Sequence, residues 1–102
     1  MFDYINICGV PHTVVLCEDN FNMDTHFGEI NYASATIKIN KDMPKAMQAQ
    51  ALCHEWLHGA LVMLGFNELS QNEQFVQAMA MAINQTFTIR HTNGGDDDGD
   101  RS

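Results

Sequence analysis

An α+β domain is predicted, with a small antiparallel sheet of three to four strands in the N-terminal half packed on a hairpin of two helices. Three observations predict it. Before residue 41 the apolar residues fall in short runs rich in Ile, Val and Thr that alternate with polar ones, as in Thr36-Ile37-Lys38-Ile39-Asn40. After Pro44 there is no further proline, and apolar residues recur at helical spacing. The 102 residues and 45% hydrophobic content suit one modest core.

The strands come first. Tyr4 to Cys8 and Thr13 to Cys17 read as a pair turned at Gly9-Val10-Pro11-His12. Glu18 to Asp24 is polar and reads as a loop. Phe27 to Tyr32 and Thr36 to Asn40 read as a second antiparallel pair joined at Ala33-Ser34-Ala35, with Ile30 and Tyr32 on one face and Ile37 and Ile39 flanking Lys38.

Asn40-Lys41-Asp42-Met43-Pro44 punctuates the chain, with proline suited to a first helical turn and Asp42 placed to serve its N-terminus. One helix is predicted from Pro44 to about Leu64, apolar nearly all round, hence central and buried. Gly59 inside it lowers helix propensity, so either a neighbour packs close to the backbone there or the glycine is simply tolerated. Gly65 to Leu69 reads as the stop and turn, and Ser70-Gln71-Asn72-Glu73 fits a capping box. A second helix to about Phe87 follows, with Phe75, Val76, Met79, Ala80, Ile83 and Phe87 as its apolar stripe. Residues 1–90 are one domain by this reading, and the Gly- and Asp-rich 91–102 is an acidic disordered tail.

Net charge is −8 with only five Lys and Arg. That balance argues against nucleic-acid partners, whose phosphates are bound mainly by cations. Three cysteines do not suggest a disulfide framework, which points to a reducing cytoplasm. MFDYINICGV lacks the features of a signal peptide, and no apolar run approaches a membrane span, so no membrane partner is expected.

The chemistry centres on Cys53-His54-Glu55-Trp56-Leu57-His58-Gly59, which contains HExxH. On a helix, His54 and His58 lie one turn apart and can meet one metal ion. Glu55 stands beside that ion and can take a proton from water that the metal activates. Two surface histidines around a solvated glutamate would need a polar helix face, and Leu52, Trp56, Leu57, Ala60 and Leu61 leave little of one. Cys53 points about 100° away from His54 and reads as core filler.

A catalytic zinc takes three protein ligands and keeps a position open. Candidates for the third are Glu68, Glu73, Gln77, Cys53, His12, His26 and His91. Glu73 borders the inward stripe of the second helix, whereas depth along the helices favours Gln77. Carboxylate chemistry favours Glu73 over a neutral amide, with its role in the capping box as the competing reading.

From about Gly28 to Phe87 the chain resembles small phage and prophage proteins related to the ImmA/IrrE-type metallo-endopeptidases, zincins with a gluzincin ligand set. The resemblance rests on GEINYASATIKIN, ALCHEWLHGAL and EQFVQAMA. Val76, Gln77 and Met79 depart from the family's ExxANxFA pattern, and the interval from His58 to Glu73 is short. The resemblance implies a minimal zincin-like fold, zinc on His54, His58 and Glu73, Glu55 as general base, and a protein or peptide substrate in a bacterial host cell. Zincins also use a His, Tyr or Arg on the oxyanion, for which Tyr32, His12, His26 and His91 are candidates. A non-catalytic zinc-binding phage protein that binds or inhibits a host factor through its acidic surface is the alternative.

Overall fold

The computed structural model describes residues 3–17, 28–87 and 92–93. It is α+β, with strands β1 (Asp3–Ile7), β2 (Val10–Cys17), β3 (Gly28–Asn31) and β4 (Thr36–Asn40) followed by helices α1 (Lys45–Met63), α2 (Asn67–Ser70) and α3 (Glu73–Thr86) and a short strand β5 (Thr92–Asn93). The sheet order is β3-β4-β2-β1-β5.

The sheet is mixed, not wholly antiparallel as expected. β2 and β4 run parallel, with Val14 beside Ile37 and Leu16 beside Ile39. The long stretch between them allows the crossover that parallel neighbours require. That register sends the apolar alternates of both strands to one face, and β3 folds back antiparallel on β4 to form the edge. Ile5, Ile7, Val14, Ile37 and Ile39 are buried there with Met43, Ala51, Leu52 and Ala60.

The first hairpin turns earlier than predicted. Ile7 pairs with Val10, leaving Cys8 and Gly9 as a two-residue loop with φ of 51° and 85°. Two positive φ values match the twist of flanking strands, and glycine adopts the second without strain. Pro11 and His12 therefore belong to β2. The second turn takes in Tyr32, with the Asn31 side chain accepting from the Ser34 N–H at 3.0 Å.

Asp42 does not cap α1, whose first turn has no acidic residue and no side-chain cap. Gln48 instead donates to the Lys41 and Met43 carbonyls, at 3.1 and 2.9 Å. At the other end Gly65, with φ 91°, closes the helix as Phe66 N–H donates to Leu61 O and Gly65 N–H to Val62 O. The predicted stop then contains a single helical turn, α2.

The capping box is overturned. Asn72 caps α3, its side chain accepting from the Phe75 N–H at 3.0 Å, while Ser70 is buried. The apolar stripe is narrower than predicted, since Val76 and Ala80 are buried but Met79 and Phe87 are exposed. α3 packs on α1 along one side only, so the outer positions of the stripe meet water.

β5 pairs with Asp3 and Tyr4, so the sheet continues past residue 90. The remainder of the expected tail, the Glu18–Asp24 loop and Phe27 lie outside the described residues. Among the described residues no helix is long and apolar enough to cross a membrane.

Gly59 has a packing reason. A Cβ there would stand 2.8 Å from Ile7 Cδ1 and 3.1 Å from Ile30 Cδ1, so α1 lies directly on β1 and β3. In Gly59→Ala a gain in helix propensity of about 1 kcal/mol is outweighed by overpacking of about 1–3 kcal/mol. The urea midpoint should fall at unchanged slope; a rise would contradict this packing.

Candidate metal centre

α1 and α3 run antiparallel and meet turn by turn, with His58 level with Glu73, His54 with Gln77, and Gln50 with Asn84. His54 Nε2 lies 3.0 Å from Glu73 Oε1 and 3.2 Å from His58 Nε2, and His58 Nε2 lies 3.1 Å from Glu73 Oε2. Ligands held about 2.0–2.1 Å from a tetrahedral zinc stand roughly 3.3–3.4 Å apart, close to this triangle.

Proton positions point the same way. His54 Nδ1–H donates to Gln77 Oε1 at 2.7 Å, and His58 Nδ1–H donates to Ser70 Oγ at 3.0 Å. Ser70 in turn donates to the His58 carbonyl at 3.3 Å, leaving its lone pair for the imidazole. With both Nδ1 protons committed, two Nε2 lone pairs and the Glu73 oxygens converge on one point, a donor set made for a cation. The residues present fit a zinc ion. His54, His58 and Glu73 side chains are 18%, 12% and 68% exposed, so the centre opens to solvent on the Glu73 side.

The centre lies in a cleft of about 720 Å³ between β3 and the helices. Glu55, only 8% exposed, forms part of its wall. Burial raises its pKa from 4.5 to about 7, with His54 opposing the rise and the Glu73 and Glu29 carboxylates adding to it. A cation on the triangle would draw it back down. A Cβ on Gly28 would lie 3.4 Å from Glu55 Cγ and 3.0 Å from the Lys38 carbonyl, so a bare backbone lets β3 pass over the carboxylate.

Tyr32 also lines the cleft, with its hydroxyl in reach of the Ser70 side chain. Partial burial raises its pKa, Ser70 lowers it, and the Glu55 and Glu73 carboxylates raise it further.

The other candidates fall elsewhere. Cys53 is fully buried, its thiol donating to the Ala80 carbonyl at 3.5 Å. Glu68 is exposed on α2, outside the cluster. His12 is buried in β2, its Nδ1–H donating to the Val10 carbonyl at 2.9 Å. His26 and His91 lie outside the described residues. Sequence reasoning missed the role of Ser70, because a serine three residues before a glutamate at a helix start looks like a cap. It weighed Gln77 as a ligand, whereas the amide supports His54 from behind.

Comparison of the chain with protein-family models, curated proteins and solved structures returns no match.

Two outcomes are expected. Calorimetry should find one zinc per chain, with binding lost in Glu73→Ala and weakened about 10–100-fold in Gln77→Ala and Ser70→Ala. Wild-type affinity in Glu73→Ala would remove it from the centre. For Glu55, a raised folded pKa means the folded chain holds its proton longer, so metal-free stability falls as pH rises from about 4.5 through about 7. Replacing Glu55 by Gln removes that loss, so in EDTA the variant's advantage should grow by on the order of 2–3 kcal/mol between pH 4 and 8. Parallel urea-denaturation profiles would contradict the buried-carboxylate account.

Proposed function

We propose that the chain is a minimal zinc-dependent metallopeptidase of the ImmA/IrrE-like kind, phage-encoded and acting on a protein or peptide in the cytoplasm of its bacterial host. The observation that carries the reading is the His54–His58–Glu73 triangle with Glu55 buried beside it in one open cleft.

Bound there, zinc would supply Lewis acidity, polarising a carbonyl and acidifying water. The rest of the chemistry falls to the chain. β3 is an edge strand along the cleft, able to hold an extended peptide by main-chain hydrogen bonds. Glu55 accepts a proton from the attacking water and returns it to the departing amine. Burial keeps the Glu55 carboxyl itself largely out of bulk water during that transfer. Tyr32 is the best placed of the oxyanion candidates, with a hydroxyl at the cleft beside Ser70 that stays protonated and can donate to the oxygen on which charge develops.

The net charge of −8 supports the alternative, a zinc-holding protein that engages a host factor without cleaving it. The two part on Glu55, which a purely structural zinc site does not need. Zinc-loaded Glu55→Gln should keep its metal and lose hydrolysis of a peptide library by at least about 10²-fold. Full zinc occupancy with biological activity untouched by the substitution would defeat the peptidase reading. Tyr32→Phe should lower kcat on the order of 10²-fold at nearly constant KM; a change in KM alone would make Tyr32 a binding residue.

A further inference from the structure

Past His54 the same face of α1 carries Ala51, Gln50 and Met47, at helical spacings of three and four, and all three line the cleft. Gln50 is unusual among them. Its Oε1 accepts from Asn84 Nδ2 at 3.0 Å, and its Nε2 is buried without a hydrogen-bond partner. The Asn84 bond turns the amide so that the NH2 group points away from that contact with α3. A shielded donor with nothing to donate to is rare in a folded chain, and because Gln50 lines the cleft, a small turn of its side chain on ligand binding would give that NH2 an acceptor there.

We infer that the end of the cleft formed by Met47, Gln50 and Ala51 is a subsite for a carboxamide side chain, that of a glutamine or asparagine in the bound peptide, read by the Gln50 amide. The inference rests on the peptidase reading above. The ligand's carbonyl accepts from Gln50 Nε2, and its NH2 donates to the second lone pair of Gln50 Oε1, a reciprocal pairing of two amides. Met47 and Ala51 provide apolar surface for its methylenes. A carboxylate would be disfavoured, because Glu55 and Glu73 line the same cleft and no Lys or Arg does among the described residues.

Direction follows from the packing of α1 on β3. Gly59 lies against Ile30 and Glu55 against Gly28, so the helix and the strand advance together. A peptide added antiparallel to β3 runs from the Tyr32 end towards the Gly28 end. The residues that follow its scissile bond then reach Met47, Gln50 and Ala51.

The test is binding to the zinc-loaded full chain carrying Glu55→Gln, read by fluorescence anisotropy. The probes are extended peptides that differ at one position at a time between Gln, Asn, Glu and Met. At one position Gln should bind roughly ten- to hundredfold tighter than Glu, the effect of one buried donor satisfied or left unpaired. Adding Gln50→Met should shift the preference at that position to Met; the substitution removes one unpaired donor but takes the acceptor from Asn84 Nδ2, so a thermal melt serves only to show that the variant is folded. Asn84→Asp offers a second variant outside the subsite; its carboxylate can only accept, so the Gln50 amide turns about, the ligand's amide turns with it, and the preference for Gln over Glu is kept. The subsite is overturned if no position favours Gln, if Gln50→Met leaves the ranking unchanged, or if Asn84→Asp abolishes the preference. Wild-type hydrolysis separates this from the peptidase reading: cleavage without a Gln preference removes the subsite alone, while Gln-selective binding without cleavage removes the peptidase and leaves the subsite.

Discussion

Gln77 and Ser70 hold the Nδ1 protons of His54 and His58, and that pair of hydrogen bonds decides which ring nitrogens face Glu73. A histidine free to choose its tautomer could turn a proton into the triangle. Here each ring has an oxygen acceptor behind it, from a different element. Gln77 comes from the second turn of α3, and Ser70 from the end of α2. The centre therefore depends on the exact return path of the chain between the helices. Gly65 ends α1, α2 delivers Ser70 inward, and Asn72 starts α3 just late enough for Glu73 to stand free in its first turn.

The sheet supplies the opposite constraint. Gly59 lets α1 settle onto Ile7 and Ile30, while Gly28 lets β3 cross over Glu55. Side chains at either position would push the helix and the edge strand apart, widening the cleft and wetting Glu55. Burial is the main cause of that carboxylate's raised pKa, so close packing of sheet on helix also sets its proton affinity.

Much of this was legible in the sequence, and the parts that were not share a cause. HExxH in an apolar helix announced the two histidines and Glu55, because helical periodicity is local. Val76 and Ala80 pointed to the buried side of α3 for the same reason. The parallel pairing of β2 with β4 was not legible, since alternation marks strands without naming their neighbours. Ser70 was misread because a local capping pattern competed with a tertiary partner twelve residues away, and the tertiary contact won. Glu73 and Gln77 could not be ranked by depth until the short helix between α1 and α3 had set their register. Gln50, whose neighbour Asn84 is 34 residues distant, carried no signal at all.

As a metal centre, the His54–His58–Glu73 triangle would hold one zinc ion on two imidazoles and one carboxylate with a place left open. X-ray absorption at the zinc edge of the loaded protein measures that shell directly. Two imidazole nitrogens at about 2.0–2.1 Å are expected, with oxygen from Glu73 and from solvent completing a four-coordinate site. A sulfur ligand near 2.3 Å, or a shell with fewer than two imidazoles, would contradict it.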